Sequence, residues 1–140
     1  NSIIKKQPIF VFNHGKMRRD FTYIDDVVEA VYRCCYKPAT VNTNFDSFKS
    51  DMSTSFAPHR IFNIGNNRPV ELLYFIELLE DALGIKAIKE FKPMQLGDVV
   101  STAADTSRIQ SWISFKPSTS IEEGIKKFAE WYTNYHFRNQ

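Results

Sequence analysis

Residues 18 to 31 read RRDFTYIDDVVEAV and concentrate the chemistry that this chain offers. A basic pair is followed by an acid, a short β-prone run, two adjacent aspartates and a valine pattern at helical spacing. That order is either ordinary punctuation between a strand and a capped helix, or the wall of a site that holds a phosphorylated ligand. Asp25 and Asp26 invite the idea of an acid–base dyad, but successive residues at a helix start point in different directions. Capping the first helical turn is the better use of one of them.

Other reactive groups are sparse. The five glycines, at 15, 65, 84, 97 and 124, fit neither G-x-G-x-x-G nor G-x-x-G-x-x-G, which excludes a glycine-rich dinucleotide turn within this chain. No tyrosine has a lysine four residues later, so the proton-transfer pair usual in short-chain oxidoreductases is missing as well. His14, His59 and His136 are isolated, without metal-ligand spacing to one another or to the cysteines, so no metal is expected. Cys34 and Cys35 are neighbours within a predicted helix and cannot staple the fold; they read as reduced, packed thiols and point to the cytoplasm. No catalytic residue is assigned in these 140 residues.

The elements that must position Arg19 follow from periodicity. A chain of 140 residues, 43% hydrophobic and 24% charged, is expected to form one globular unit with a real core. A net charge of +2, with its basic pairs scattered at 5–6, 18–19 and 126–127, is too little for a nucleic-acid surface. No apolar run is long enough to span a membrane, and the start, NSIIKKQPIF, has neither a signal-peptide core nor an initiating methionine; it reads as the interior of a longer polypeptide. PIFVFN (8–13) predicts a strand entering a tight loop. From Ile24 the residues Val27, Val28, Val31, Cys34 and Cys35 predict a core-facing helix capped by Asp25 or Asp26. Residues 38 to 60 lack any steady period and predict a long, flexible surface loop. RIFNIG (60–65) predicts a buried strand, and ELLYFIELLEDALG a helix with Leu72, Phe75, Ile76, Leu79 and Leu83 on one face, stopped at Gly84. A strand at 87–91, a short helix from Asp105 to Trp112, and a last helix from 120 to 135 complete the pattern. Ser120 and Glu123 stand at capping-box spacing, with Ile121, Ile125, Phe128, Tyr132 and Tyr135 along the face. The alternation argues for an α/β fold with a partly parallel sheet, too few strands to close it, and apolar faces left for partners.

Four stretches together carry a resemblance: GKMRRDFTYIDDVVEAV, APHRIFNIGNNRPVELL, KPMQLGDVVSTAADTSRI and FKPSTSIEEGIKKFAEWY. In this order and spacing they resemble the C-terminal part of UDP-glucuronate 4-epimerases, NAD-dependent nucleotide-sugar enzymes of the extended short-chain dehydrogenase/reductase family. The resemblance runs from about Pro8 to Tyr135. It implies the C-terminal, substrate-binding portion of an incomplete Rossmann-type fold, the N-terminal half with the NAD turn and catalytic group being absent. NAD is therefore expected in the full-length enzyme and no cofactor in this chain.

The resemblance also implies site residues. Arg19, in the RDF motif, would contact the diphosphate of a UDP-sugar. Val11 and Phe12 would lie against uracil, although strand alternation sends one of them away. Gln95 and Asp98 would stand near the diphosphate and ribose. Leu96 and Val100 replace prolines usual in that loop, and Ser114 replaces a glycine. Two functions are carried forward: the UDP-sugar-binding part of an epimerase, inactive alone, or a non-catalytic module for partner or weak nucleotide binding. A fragment of another nucleotide-sugar epimerase or dehydratase is a variant of the first. UDP-sugar binding by the isolated chain is expected to be weak or absent, self-association through exposed apolar surface is expected, and neither nucleic acid nor membrane is.

Overall fold

The computed structural model describes residues 1–49 and 51–137, with Phe137 by its backbone alone. Among these residues the elements run β1 (Ile9–Val11), a single 3-10 turn (Phe12–Gly15), β2 (Arg18–Arg19), α1 (Ile24–Tyr36), β3 (Val70–Glu71), α2 (Leu72–Leu83), β4 (Lys89–Phe91), α3 (Ser107–Ile113) and α4 (Ile121–Phe137). β1 and β4 are parallel, with Ile9 opposite Lys89 and Val11 opposite Phe91, so the α/β expectation holds. β2 and β3 are antiparallel, with Arg18 opposite Glu71 and Arg19 opposite Val70. Ser101 bridges Arg18 in parallel on the other side, so β2 lies between two neighbours.

Three helix ends follow local chemistry. Gly84 closes α2 at φ 65°, a left-handed conformation that glycine adopts without a Cβ clash. Ser120 Oγ accepts the Glu123 N–H at 3.2 Å at the start of α4. Asp105 accepts the Ser107 N–H at 2.9 Å ahead of α3. At the starts of α1 and α2, Tyr23 and Glu71 hold the cap positions and no side chain caps either helix. Asp26 turns inward instead.

Burial corrects three sequence expectations. The inner stripe of α1 is Asp26 and Ala30, with Val27 and Cys34 half-buried, whereas Ile24, Val28 and Val31 are exposed. Apolar residues cover more than one face of this helix, so period alone could not choose the face; packing against α3 chose it. In α4 the buried residues are Gly124, Ile125 and Ala129, while Phe128 and Tyr135 lie outward. Small residues allow close approach: a Cβ on Gly124 would lie 3.2 Å from the Tyr23 ring. RIFNIG forms no ladder beyond one bridge between Arg60 and Thr54. A strand needs a neighbour, and here Phe62 and Ile64 bury themselves against Ala30, Ile109 and Ile113 instead.

Two joints hold the halves together. α2 packs along α4, and Phe21 stacks on Phe75 at 4.2 Å, with 5° between the planes. Glu80 of α2, its side chain 2% exposed, pairs with Lys89 of β4 and with Lys86 at 3.1 Å, and accepts the Ala87 N–H at 2.9 Å. These partners compensate the cost of burying a carboxylate. Residues 38 to 49 and 51 to 60 contain no helix or ladder strand and are tied down at Asp51, which pairs with Arg108 at 2.7 Å.

Candidate functional site

Arg19 is positioned by backbone on both sides of β2. Leu72 N–H donates to Met17 O at 2.9 Å beside the β3 pairing, while Arg18 N–H donates to Val100 O at 2.8 Å and Thr102 N–H to Arg18 O at 3.2 Å. The extended conformation sends Arg18 and Arg19 to opposite faces. Arg18 Nη2 donates to Pro69 O at 3.0 Å. Arg19 Nη2 reaches Asp98 Oδ1 at 2.8 Å, and its Nη1 donates to the carbonyls of Arg18 (3.0 Å) and Val100 (3.3 Å). At 25% and 31% side-chain exposure the two partners form a fixed, solvent-reaching pair.

Asp98 is held by a reverse turn. Its N–H donates to Gln95 O at 3.2 Å across Leu96 and Gly97, and Gly97 has φ 84°, the geometry of a type II turn with glycine in third place. Leu96 therefore occupies the second place, where proline would fit, and the glycine alone keeps the turn. Gln95 itself is exposed. Val11, 1% exposed, packs in the interior beneath β1 and β4, while the half-buried Phe12 meets Phe10 edge-on at 6.4 Å. Of this pair, Phe12 alone keeps part of its side chain at the surface. After it, Asn13 and His14 adopt left-handed φ of 48° and 50°, a costly conformation for side-chain-bearing residues.

Arg19 and Asp98 are thus brought together, Gln95 opens the same turn as Asp98 with its side chain exposed, and Phe12 lies on the turn that follows β1. Two carboxylates organise the surroundings: Asp20, which had no role assigned from the sequence, and Asp26, which was expected to cap α1 and does not. Asp20 accepts the N–H groups of Asn67 (3.0 Å), Arg68 (3.2 Å) and Ala104 (3.2 Å), knotting the NIGNN and TAAD segments to the strand that carries Arg19. Gly65 is required there, because a Cβ would fall 2.9 Å from Asp20 Oδ2 and 2.5 Å from Ala104 Cβ. Asp26, 9% exposed, accepts the Thr119 N–H at 3.0 Å. An acid directly after the candidate arginine was the one available signal for Asp20; its amide partners lie 47 to 84 residues away.

The site is open rather than enclosed. The largest cleft described, about 550 Å³, is lined by Phe21, Asn66, Arg68, Glu71, Tyr74 and Glu122 among others, and not by Arg19. Tyr74 donates to Glu122 at 2.7 Å there; the bond lowers the Glu122 carboxyl below its ordinary range and raises the tyrosine. Among the described residues Gly84 ends a helix and Gly97 sits in a surface turn, so neither opens a helix after a strand as the glycines of a dinucleotide-binding turn do. Among the described residues no group of three or more His, Cys, Asp or Glu could hold a metal ion, and no helix is long and apolar enough to cross a membrane.

Comparison with known proteins converges on one group. Staphylococcus aureus protein CapI is 44% identical over 135 residues, covering 96% of this chain and 40% of its own length. UDP-glucuronate 4-epimerase 1 of Arabidopsis thaliana is 35% identical over 143 residues, covering 99% of this chain and 32% of its own. The chain therefore spans about two fifths or less of these curated relatives. The solved structure of MoeE5 in complex with UDP-glucuronic acid and NAD superposes with a TM-score of 0.74 at 24% identity, covering 96% of this chain and 39% of that one, so the two share a fold. The family model described as GDP-mannose 4,6 dehydratase matches residues 1–128. With nearly the whole chain inside that match, the protein belongs to the GDP-mannose 4,6-dehydratase family of nucleotide-sugar epimerases and dehydratases.

Proposed function

We propose that this chain is the UDP-sugar-binding part of a UDP-glucuronate 4-epimerase, with Arg19 as the diphosphate anchor. The observation that carries the reading is the Arg19 guanidinium, oriented by Asp98 and two backbone carbonyls yet still in reach of solvent. A preoriented fork loses little freedom when it takes a phosphate, and its charge is permanent. Phe12 would meet the uracil ring. Gln95, uncharged, would add hydrogen bonds near the diphosphate, leaving neutralisation to Arg19, and Asp98 would stand toward the ribose. The name of the Arabidopsis relative supports the choice of sugar.

These residues bind and orient; none is placed to transfer a proton or hydride. NAD supplies hydride chemistry in enzymes of this kind, and the glycine-rich spacing that would hold its diphosphate is not in this sequence. The chain by itself should leave UDP-glucuronate unchanged, with or without added NAD.

The test is a calorimetric titration with UDP and with UDP-glucuronate in the protein that carries this segment. Arg19→Ala should weaken both ligands alike, since they share the diphosphate, by about 1.5 to 3 kcal/mol, roughly tenfold to a hundredfold. Unchanged UDP affinity would remove Arg19 from the site.

A further inference from the structure

A second cleft, of about 350 Å³, opens between residues 51 to 62 and α3, lined by Asp51, Ser53, Arg60, Arg108, Ser111 and Trp112 among others. Its electrostatics differ from its surroundings. The Arg60 guanidinium carbon lies 5.0 Å from the Trp112 ring centroid, a stacking contact that fixes the group without neutralising it. Arg60 Nε is enclosed and has no hydrogen-bond partner among the described residues. A buried donor of that kind is costly until an acceptor arrives.

Arg108 is held differently. Its Nη1 lies 2.9 Å from Asp51 Oδ1 and 2.7 Å from Oδ2, so one nitrogen of the fork takes both carboxylate oxygens. The hydrogen bond from Arg108 holds the Asp51 carboxyl down to about 2, so it is a full negative charge at neutral pH. Asp105, the other acid near Arg108, directs an oxygen to the Ser107 N–H at 2.9 Å. Two guanidiniums therefore face one carboxylate in the cleft. Lys37 adds a third cation, 4.6 Å from the Trp112 centroid, from the neighbouring cleft. The hydroxyls are already committed: Ser53 Oγ to Asp51 at 2.8 Å and Ser111 Oγ to Ser107 O at 2.9 Å.

We propose that this cleft is an oxyanion-binding site, in which Arg60, stacked on Trp112, and the unengaged side of Arg108 together hold the phosphate or carboxylate of a small metabolite. The volume suits a ligand of monosaccharide size. Asp51 stays on Nη1 of Arg108, and its negative charge beside the cleft opposes the incoming anion. The site shares no residue with the Arg19 surface and does not depend on the epimerase reading.

The experiment follows the Arg60 Nε–H and Trp112 indole N–H resonances of the isotopically labelled chain. Inorganic phosphate and glucuronate are titrated in separate arms at constant ionic strength, with chloride as the control. A saturable shift in one arm, absent with chloride, is expected, and the arm that saturates identifies the oxyanion. Arg60→Gln should weaken it by about tenfold or more, Asp51→Asn should strengthen it by removing that negative charge, and Arg19→Ala should leave it unchanged. If Arg60→Gln does not fold, Arg108→Gln makes the same test with the Arg60–Trp112 stack in place. Shifts that stay linear in both arms, or a folded Arg60→Gln or Arg108→Gln chain that binds like the unmodified one, overturn the proposal.

Discussion

Arg19 and Asp98 stand 79 residues apart in sequence and 2.8 Å apart in space. If Asp98 serves mainly to aim the guanidinium, the two residues act as one unit on the ligand. Asp98→Ala should then weaken UDP binding by less than Arg19→Ala, and the double variant should bind no worse than Arg19→Ala alone, to within about 0.5 kcal/mol. Calorimetric titration of all four forms closes the cycle. Losses that simply add would show Asp98 reaching the nucleotide independently.

Asp26 predicts the opposite pattern. Its carboxylate is buried and accepts the Thr119 N–H at 3.0 Å. Asp26→Asn replaces a charged acceptor by a neutral one, and should lower stability by about 1 to 2 kcal/mol and the Tm by about 3 to 5 °C. UDP affinity should stay the same. A variant that loses binding while melting like the parent would assign Asp26 to the site.

Ser114 carries stored strain. It closes α3 at φ 50° and ψ 43°, a left-handed conformation in which a Cβ is unfavourable by about 1 kcal/mol or more. Ser114→Gly should therefore raise unfolding free energy by about 0.5 to 1 kcal/mol, less than the full strain because glycine also frees the unfolded chain. Chemical denaturation reads the change, and a less stable variant would contradict the assignment.

Glu80 sets an acid limit. Its carboxyl is lowered from the ordinary 4.5 to about 2, first by the hydrogen bond from Lys89 and then by that from the Ala87 N–H. The unfolded chain binds the proton more readily, so the contribution is complete above about pH 4.5 and is lost as the pH falls toward 2. Glu80→Gln should be less stable at neutral pH, and its denaturation midpoint should fall less steeply than the parent's over that window. Parallel curves for the two proteins would refute the linkage.

The outer stripe of α1 bears on association. Ile24, Val28 and Val31 are each more than half exposed and lie along one side. Contiguous apolar surface of this kind drives contact with another surface. The isolated chain is expected to self-associate in sedimentation velocity, and Val28→Glu with Val31→Lys should shift it toward monomer. A monodisperse monomer at every concentration before substitution would count against this role.

Local order was written in the sequence because its causes are local. The helical period located α1, α2 and α4, Gly84 and Ser120 marked their ends, and Gly97 marked a turn. The four motif stretches, read in order, were enough to place the family. What escaped were choices among faces and partners. Apolar residues surround α1 on more than one side, so only the docking of α3 decided that Ala30 faces inward and Val28 outward. RIFNIG has strand composition but no ladder, since pairing depends on what lies beside it. Asp20, Asp26 and Asp98 look alike in sequence, yet one knots three distant amides, one holds Thr119 and one aims Arg19. A carboxylate's role is set by which donors the fold delivers to it. Here those donors come from positions 47 to 93 residues away, a distance at which only the assembled chain decides.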